Sequence, residues 1–453
     1  MGRQDIITGH KLAGSAVEVG LSLRKKLQFI SSVCTNCDLC EKECAFLRER
    51  GTPKNIADTY DPSALDQQAM PFECSLCGFC TAVCPVNADP CDLFLEMRKE
   101  RVRKGGGNHP EHAILSRYEK RGTSRIFSYY GLPEGCESVF FPGCILSGTR
   151  SERVIQVYQR LKAGIPSLGI VLDCCTKPSH DLGKEDYFMA MFEEMKNFLV
   201  VRGVRSILVA CPNCYKIFAQ YGDGLTVRSI YEVLADDDCA GKRQFAATVT
   251  VHDPCAVRFA GPVLAAVRRL VRRQGLTIEE MAHSGRTTLC CGEGNAVGLV
   301  SRALANQWGR LRREEAAGRT MVTYCAGCAN ALSRLAPTTH LLDVLFEPEA
   351  ALSGRVRVTK PPFTHWKRLR LKKWFKKHLP VAVARERTLP PGLFDLFHRI
   401  ACFVPGFDAA GLPVNVFVAQ LDRPHGAVVA ARAGSEAAIE NNQTVFVRPE
   451  QLF

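Results

Sequence analysis

The arrangement of the cysteines constrains this chain more than any other feature of its sequence. Eighteen of the 22 cysteines fall into four sets. Two sets share the spacing C-x2-C-x2-C-x3-C, and two share the order C…CC…C-x2-C. In chain order the sets are Cys34, Cys37, Cys40 and Cys44; Cys74, Cys77, Cys80 and Cys84; Cys144, Cys174, Cys175, Cys211 and Cys214; and Cys255, Cys290, Cys291, Cys325 and Cys328. Thiolates at such spacing are typical ligands of iron–sulfur clusters. The pattern predicts a protein that handles electrons.

Composition narrows the class of protein further. The N-terminal segment MGRQDIITGHKLAG lacks the apolar core of a secretory signal, and no stretch approaches the roughly 18 apolar residues of a membrane span. We therefore predict a reducing, cytoplasmic location, where clustered cysteines bind metal rather than form disulfides. Zinc is the rival metal, but four cysteines within eleven residues fit a cubane better. The formal charge of +13 counts cysteines as neutral, so it is weak support for nucleic-acid binding, and we predict no nucleic-acid partner.

The order of elements predicts an α+β multidomain chain. A helical lead-in at 1–30 precedes an α-helical ferredoxin domain with two [4Fe-4S] motifs at 31–103 and a glycine-rich, charged linker at 104–136. Apolar strands that alternate with amphipathic helices predict two pseudo-symmetric, Rossmann-like α/β cysteine-rich domains at 137–240 and 246–348. Their corresponding cysteines are offset by 111 to 116 residues, which indicates an internal duplication. A basic amphipathic segment at 355–390 and a small, strand-rich appendage of unknown role at 391–453 follow.

The two N-terminal motifs predict two cubane clusters with crossed ligands. In this spacing three cysteines wrap one cubane and the fourth reaches the neighbouring cluster. One predicted set is therefore Cys34, Cys37, Cys40 and Cys84, and the other is Cys74, Cys77, Cys80 and Cys44. Ala45 stands where the usual motif has a proline, which shapes the turn and donates no ligand.

The two C-terminal sets carry a family resemblance. Their patterns, C-x(29)-CC-x(35)-C-x2-C and C-x(34)-CCG-x(33)-C-x2-C, resemble the duplicated cysteine-rich domain in the catalytic subunit of heterodisulfide reductase. Behind two ferredoxin motifs, the arrangement is similar to the single-chain form of that subunit over roughly residues 30 to 348. Thr176 replaces the glycine of the first CCG. Related iron–sulfur subunits of glycolate, lactate and glycerol-3-phosphate dehydrogenases share the architecture but often lack some of these cysteines.

The resemblance implies a non-cubane [4Fe-4S] cluster in each repeat, held by its five cysteines. It also implies an oxidoreductase whose cubanes deliver electrons to a cluster-based site that reduces a small-molecule disulfide. No credible flavin or nicotinamide fingerprint occurs, so a flavoprotein or a membrane cytochrome or quinone-linked subunit is the expected partner. The alternative function is an electron-transfer subunit of a flavin-linked 2-hydroxy-acid or glycerol-3-phosphate dehydrogenase. A further alternative is a binding module in which the repeats hold ordinary cubanes or a structural metal.

Several residues outside these ligand sets allow more than one interpretation. Gly292, Gly294 and Gly298 resemble part of a dinucleotide fingerprint, but glycines of a cluster loop explain them better. His180 and His252 are interpreted as proton donors to a thiolate product, as hydrogen-bond donors near the clusters, or as surface histidines. The remaining cysteines are expected to be free thiols: Cys91, Cys136, Cys239 and Cys402.

The basic segment has three open interpretations. Seven lysines and arginines occur between Trp366 and His378, and no acid lies between Glu349 and Glu386. As a helix, the segment has an apolar face of Leu371, Trp374, Phe375 and Leu379, opposite a basic face of Arg370, Lys373, Lys376 and Lys377. Residues 366–379 would then contact an anionic membrane surface, peripherally on the inner face of the cell membrane, or an acidic partner, or would form a solvated charged helix.

Overall fold

The computed structural model describes residues 19–106, 109–237 and 245–388, together with the backbone of five strands near the C-terminus. These five strands form one antiparallel sheet in chain order: β11 (Cys402–Phe407), β12 (Pro413–Gln420), β13 (Val428–Arg432), β14 (Ser435–Glu440) and β15 (Gln443–Val447). The appendage is therefore strand-rich, as predicted. Most of the helical lead-in at 1–30 and Cys239 lie outside the described residues.

The N-terminal cysteine region is helical, as predicted. Thr52 and Asp89 cap α3 and α6 with their side chains, and a proline follows each cap. Phe46, Phe94 and Met97 pack into a core that also contacts several of the motif cysteines. The helices are α1 (Leu21–Val33), α2 (Ala45–Arg50), α3 (Pro53–Thr59), α4 (Leu65–Ala69), α5 (Phe79–Val83) and α6 (Pro90–Arg103), with a 3₁₀ turn at Met70–Glu73.

The segment predicted as a linker at 104–136 is more structured than expected. It contains a 3₁₀ turn at Pro110–His112, helix α7 (Ala113–Gly122) and strand β1 (Tyr129–Leu132). Tyr129 and Tyr130 are buried, and β1 pairs antiparallel with a strand of the first repeat. The glycines and charges at the start of this segment obscured the short apolar run at its end.

The first cysteine repeat is built on a core of four parallel strands in the order β3-β2-β4-β5. Two antiparallel strands, β1 and β10 (Val383–Arg385), extend this core at the edge formed by β3. Helices from the same repeat pack against the sheet. The elements are β2 (Ser138–Phe141), α8 (Cys144–Thr149), α9 (Ser151–Gly164), β3 (Gly169–Leu172), α10 (Lys177–Asp181), α11 (Glu185–Val201), β4 (Ser206–Val209), α12 (Pro212–Tyr221), β5 (Thr226–Ser229) and α13 (Ile230–Asp236).

The second repeat has a four-stranded parallel sheet in the order β7-β6-β8-β9, which is the same relative order of strands as the core of the first. Its elements are β6 (Thr248–His252), α14 (Gly261–Arg273), β7 (Thr277–Ile278), α15 (Val297–Val300), α16 (Arg302–Ala316), β8 (Thr320–Thr323), α17 (Ala326–Leu332), β9 (Thr338–His340), α18 (Leu341–Phe346) and α19 (Pro348–Leu352). Further 3₁₀ turns lie at Cys255–Val257, Gly285–Thr287 and Gly294–Ala296.

A buried ion-pair group joins the two repeats. The carboxylate of Asp343 accepts from Arg150 Nε at 2.7 Å and from Arg153 Nε at 2.9 Å, and all three side chains are buried. One apolar core also runs through both repeats, from Val154 and Val157 to Val263 and Leu341. The two repeats therefore pack together as one unit with a shared core.

Replacing Asp343 with alanine is expected to lower the stability by about 3–5 kcal/mol, because it leaves the buried guanidinium of Arg150 without its carboxylate partner and removes one of the two carboxylates paired with Arg153. Burial alone would raise the pKa of Asp343, but Arg150 and Arg153 hold it below its ordinary value. The stabilisation is therefore present at neutral pH and is lost as the pH falls through that lowered pKa. Glu347→Gln is the control. Because the Glu347 side chain is 54% exposed, this substitution should change the free energy of unfolding by less than about 1 kcal/mol. Anaerobic thermal unfolding followed by circular dichroism measures the stability of both variants. Equal shifts in their unfolding temperatures would contradict the prediction.

The basic segment forms helix α20 (Phe363–His378), followed by β10 (Val383–Arg385). Its predicted apolar face is turned inward: Leu371, Phe375 and Leu379 are buried in the core shared with the first repeat, and Trp374 packs partly against it. That face is therefore not free for a membrane. Among the described residues, no helix is both long enough and apolar enough to cross a bilayer.

Candidate metal centres and redox site

The first cysteine site lies near the surface of the N-terminal domain. Cys34, Cys37, Cys40 and Cys84 line one cavity, together with Cys80 from the neighbouring site. Cys37 is exposed, and the exposed side chains of Leu39 and Val86 flank the cavity. The structure thus brings together the four cysteines predicted for one cubane.

The second cysteine site lies deeper. Cys44 is close enough to Cys74, Cys77 and Cys80 for their charges to interact, so the fourth cysteine of the first motif reaches the second site. Burial raises the pKa of the Cys44 thiol to about 12. Cys91, expected to be a free thiol, lies beside Cys74 and Cys80. The geometry agrees with the crossed sets, whose roles as ligands remain predictions.

The two N-terminal motifs share an unusual backbone. Asn36 and Asp38 have positive φ between the cysteines of the first motif, and Leu76 and Gly78 have positive φ at the equivalent places in the second. Such angles are uncommon outside glycine and turn the chain sharply. The sharp turns bring successive thiols of each motif to the same side of the loop. In the second motif the Leu76 amide also donates to Cys74 Sγ at 3.4 Å.

The cysteines of the repeats follow the carboxyl ends of strands. Cys144 follows β2, Cys174 follows β3 and Cys211 follows β4, while Cys255 and Cys325 follow β6 and β8. Because the parallel strands of each sheet end at one edge, these thiols gather there. Gly143 has φ of +82°, and a Cβ atom at this position would lie 2.8 Å from Cys211 Cβ. A side chain at residue 143 would therefore push apart the first set.

Each repeat arranges its five thiols in the same order of neighbours. Thiol–thiol hydrogen bonds link each set in sequence: Cys144, Cys174, Cys175, Cys214 and Cys211 in the first, and Cys255, Cys290, Cys291, Cys328 and Cys325 in the second. A tetrahedral zinc ion takes four ligands. Two sets of five soft thiols in mutual contact fit iron–sulfur chemistry better than a structural zinc.

The two sets meet at equivalent cysteines. The thiols of Cys211 and Cys325 are within hydrogen-bonding distance, and Asn213 of the first repeat donates from Nδ2 to Cys325 Sγ at 3.9 Å. Ten thiols therefore form one continuous group across both repeats. A molecule between the sets would have sulfur ligands of both repeats around it.

The second cysteine of each adjacent pair is the more acidic one. Hydrogen bonds from Cys174 and then Cys214 lower the pKa of Cys175 to about 6. Hydrogen bonds from Cys290 and then Cys328 do the same for Cys291, also to about 6. Thiolates rather than thiols bind metal, so these two positions favour metal binding near neutral pH.

The two predicted histidines differ in their surroundings. His180 is buried, and its ring nitrogens lie 2.8 Å from Asp181 Oδ1 and 2.9 Å from the Tyr221 hydroxyl, so it is not a surface residue. His252 is also buried and lies within 4.8 Å of the thiols of Cys291 and Cys328. Neither ring nitrogen of His252 has a hydrogen-bond partner in the described structure. Burial lowers the pKa of His252 well below its ordinary value, so the ring is neutral beside the second set.

Two charged residues near the sets were missed by the sequence analysis. Burial opposes a charge on Lys177, but its ion pair with Asp181 raises the pKa of the ammonium group, which faces thiols of both sets, Cys175 and Cys255. Burial in the surrounding protein raises the pKa of Glu293 to about 7, in a position near Arg334 and Cys211. Each charge follows the adjacent cysteine pair of its own repeat by two residues, but only docking of the repeats brings Lys177 to Cys255 and Glu293 to Cys211, and no motif signals that docking.

Buried arginines fasten the N-terminal domain to both repeats. Arg258 of the second repeat donates from Nε to the Cys77 carbonyl at 2.9 Å, and Arg98 donates from Nη1 to the Asp181 carbonyl of the first repeat at 2.7 Å. Cys77 is close enough to Cys255 and Cys290 for their charges to interact. The second repeat is thus the one whose thiols adjoin the second N-terminal site.

Comparison with known families agrees with this layout. The 4Fe-4S dicluster domain matches residues 30–88, and the cysteine-rich domain matches 138–219 and again 249–333. The chain is 21% identical to one of the subunits of the dihydromethanophenazine:CoB–CoM heterodisulfide reductase of Methanosarcina mazei, over 64% of this chain and 85% of that protein. The two domain types and these relatives support a resemblance to iron–sulfur proteins of the heterodisulfide reductase type. The two domain types support iron–sulfur clusters, and the relatives support an oxidoreductase role.

Other relatives of this family broaden the comparison. An uncharacterised iron–sulfur protein of Methanococcus maripaludis is 26% identical over 54% of this chain and 52% of its own length. The probable iron–sulfur-binding oxidoreductase FadF of Bacillus subtilis is 24% identical over 62% of this chain and 45% of its own length. The chain therefore spans about half the length of these two relatives.

The loop after each adjacent cysteine pair gives a matched test. Gly292 has φ of +90°, and a Cβ atom there would lie 2.3 Å from the Ala305 carbonyl oxygen. Thr176, at the equivalent place, already carries a side chain in the left-handed region, with φ of +53°. We expect Gly292→Ala to lose about four irons per chain, because the clash displaces the second set, and Thr176→Ala to retain its iron. Wild-type iron content in Gly292→Ala, measured after anaerobic purification, would contradict this.

Proposed function

We propose that this chain is the iron–sulfur subunit of a heterodisulfide reductase-like enzyme. Electrons from a partner pass through two [4Fe-4S] cubanes to two further, non-cubane clusters, where a small-molecule disulfide is reduced. The single observation that carries the proposal is the contact of two complete five-cysteine sets at Cys211 and Cys325. A relay alone requires neither five thiols per repeat nor a meeting of the two sets.

The order of the four sites supports a direction for the electrons. The set of Cys34, Cys37, Cys40 and Cys84 reaches the surface through Cys37, which suits contact with a donor. The set of Cys44, Cys74, Cys77 and Cys80 comes next, and Cys77 adjoins the second repeat at Cys255. The first repeat is last in this order. We therefore propose that the Rossmann-like repeats, related by pseudo-symmetry, receive electrons one after the other.

Reduction of one disulfide to two thiols consumes two electrons and two protons. When bound, the clusters would supply these electrons one at a time, and the protons would come from solvent. The protein residues hold the site: the ammonium of Lys177 offsets negative charge on both thiol sets, and the amide of Asn213 orients Cys325. A thiolate released between the repeats would thus form beside a fixed positive charge, which favours cleavage of the sulfur–sulfur bond.

Anaerobic purification with iron and sulfide analysis tests the proposal, with electron paramagnetic resonance (EPR) spectra recorded with and without added thiol or disulfide. We expect about sixteen irons per chain and a signal that changes on adding thiol. About eight irons, with no signal from the repeats, would reject the proposal. Sixteen irons with spectra indifferent to thiols would favour the alternative, a relay subunit of a flavin-linked dehydrogenase.

We propose that residues 366–379 contact a membrane or a partner through the outward face of helix α20. Phe363, Trp366 and Leu369 are 66%, 52% and 38% exposed there. The guanidinium of Arg370 stacks on Trp366, with Cζ 4.6 Å from the ring centre, and Lys373 is exposed beside it. Co-sedimentation with anionic vesicles, against neutral vesicles as control, distinguishes a lipid surface from a protein partner.

A further inference from the structure

Arg368, on helix α20, is a buried cation outside both repeats. Its side chain is 5% exposed, and its Nη1 atom has no hydrogen-bond partner in the described structure. The guanidinium lies over two rings instead, with Cζ 4.9 Å from the centre of Phe127 and 5.8 Å from that of Tyr118. Burying an unpaired cation costs several kcal/mol, so its retention indicates a negative charge nearby.

The thiols of the first set lie next to this guanidinium. A Cβ atom built on Gly122 would lie 3.6 Å from Arg368 Nη2 and 3.2 Å from Cys174 Cβ, so both groups border the same small space. Arg368 is also close enough to Cys144 for their charges to interact. Tyr118, one of the two rings under Arg368, is within hydrogen-bonding distance of the Cys144 thiol.

The second set has a different arrangement. Two buried arginines lie near its thiols: Arg312 is paired with the carboxylate of Glu315 at 2.6 Å, and Arg258 donates to three carbonyl groups, those of Cys77, Arg286 and Thr288, at 2.5–2.9 Å. Arg258 therefore serves chiefly to hold the domains together. Arg368 makes no comparable set of hydrogen bonds to carbonyl groups in the described structure. Its Nη1 atom, which has no partner there, can therefore interact with the group that the first set binds.

We propose that Arg368 is a positioning residue that raises the reduction potential of the cluster in the first repeat. The inference rests on the proposed function, in which the first set holds a cluster. An iron–sulfur cluster with thiolate ligands gains negative charge on reduction, and a nearby buried cation stabilises that reduced state. A raised potential makes the first repeat the final acceptor of electrons that arrive through the second.

An EPR-monitored redox titration of the full chain tests the proposal. The signal of the first repeat is identified as the one that Cys175→Ser removes. In Arg368→Gln we expect the ratio of reduced to oxidised cluster at a fixed potential to fall about tenfold, which is about 59 mV for a one-electron couple. The other signals should not move. Arg368→Lys keeps the charge on a shorter side chain and should shift the same signal less.

Arg370→Gln is the matched control, because Arg370 lies on the same helix and stacks on exposed Trp366. It should leave every potential unchanged. Full iron content in Arg368→Gln with an unchanged first-repeat potential would overturn the proposal, as would an equal shift in Arg370→Gln. If Arg368→Gln loses iron, Arg368→Lys decides: loss there too would mean that Arg368 acts only through packing, and the proposal fails. A wild-type protein with no signal from the first repeat would instead overturn the proposed function itself.

Discussion

Cys77→Ser is expected to disconnect the N-terminal clusters from the repeats. Cys77 belongs to the deeper N-terminal site and adjoins Cys255 and Cys290 of the second repeat. A hydroxyl group is a poor ligand for a cubane, so we expect about four fewer irons out of about sixteen. Electrons from a protein donor would then reach the first N-terminal cluster and stop. Stopped-flow reduction by a ferredoxin, a protein donor that is too large to reach the buried thiols of the repeats directly, measures this loss.

Cys136→Ser provides the control for this variant. Cys136 is a buried thiol of the first repeat that donates to the Ser138 carbonyl at 3.3 Å, and it lies outside all four sets. We expect it to keep its iron and its rate of reduction. If Cys77→Ser retained all its iron and the wild-type rate, the proposed route through the second repeat would be wrong.

Arg258→Met is expected to lower the stability by about 3–5 kcal/mol and to slow electron transfer between the domains. The substitution keeps most of the side-chain volume but removes the donors to the carbonyl groups of Cys77, Arg286 and Thr288. Buried acceptors left without donors are costly, and the bonds lost are charge-assisted. The loop that carries Cys77 would also lose its fixed position beside the second set.

Thermal unfolding and stopped-flow reduction together measure the effect of Arg258→Met. Arg286→Met is its control, because the Arg286 side chain stacks at the surface on Phe259, which is 58% exposed. We expect the control to change the stability by less than about 1 kcal/mol. A slower transfer with unchanged iron content would locate the defect in the contact between the domains. If Arg258→Met kept the wild-type stability and the wild-type rate of electron transfer, Arg258 would not be the residue that holds the domains together.

The sequence predicted the local features of the sites well because they depend on spacing along the chain. The crossed grouping of Cys44 and Cys84 agrees with the geometry, and five of the repeat cysteines follow strands as expected. Spacing within a motif limits which thiols can converge. The spacing of the cysteines therefore predicts much of the composition of each set, when each set is considered on its own.

The relation between the sets could not be predicted from the sequence. The meeting of Cys211 and Cys325, and the position of Cys77 beside the second repeat, depend on how separate domains pack. The segment predicted as a linker carries Tyr118 to the first set, and the basic segment carries Arg368 there. The amphipathic pattern of that helix left a membrane surface, a partner or solvent open for it, whereas its leucine and phenylalanine side chains complete the core.

The two fastening arginines also have a consequence for how the protein matures. Arg98 binds the carbonyl of Cys74 in its own domain and that of Asp181 in the first repeat, and Arg258 of the second repeat binds that of Cys77, so docking of the domains closes over the deeper N-terminal site. Metal binding and folding are coupled where ligands come from separate segments. We therefore expect iron to enter this site before the domains close, whereas the site that includes exposed Cys37 would stay accessible afterwards.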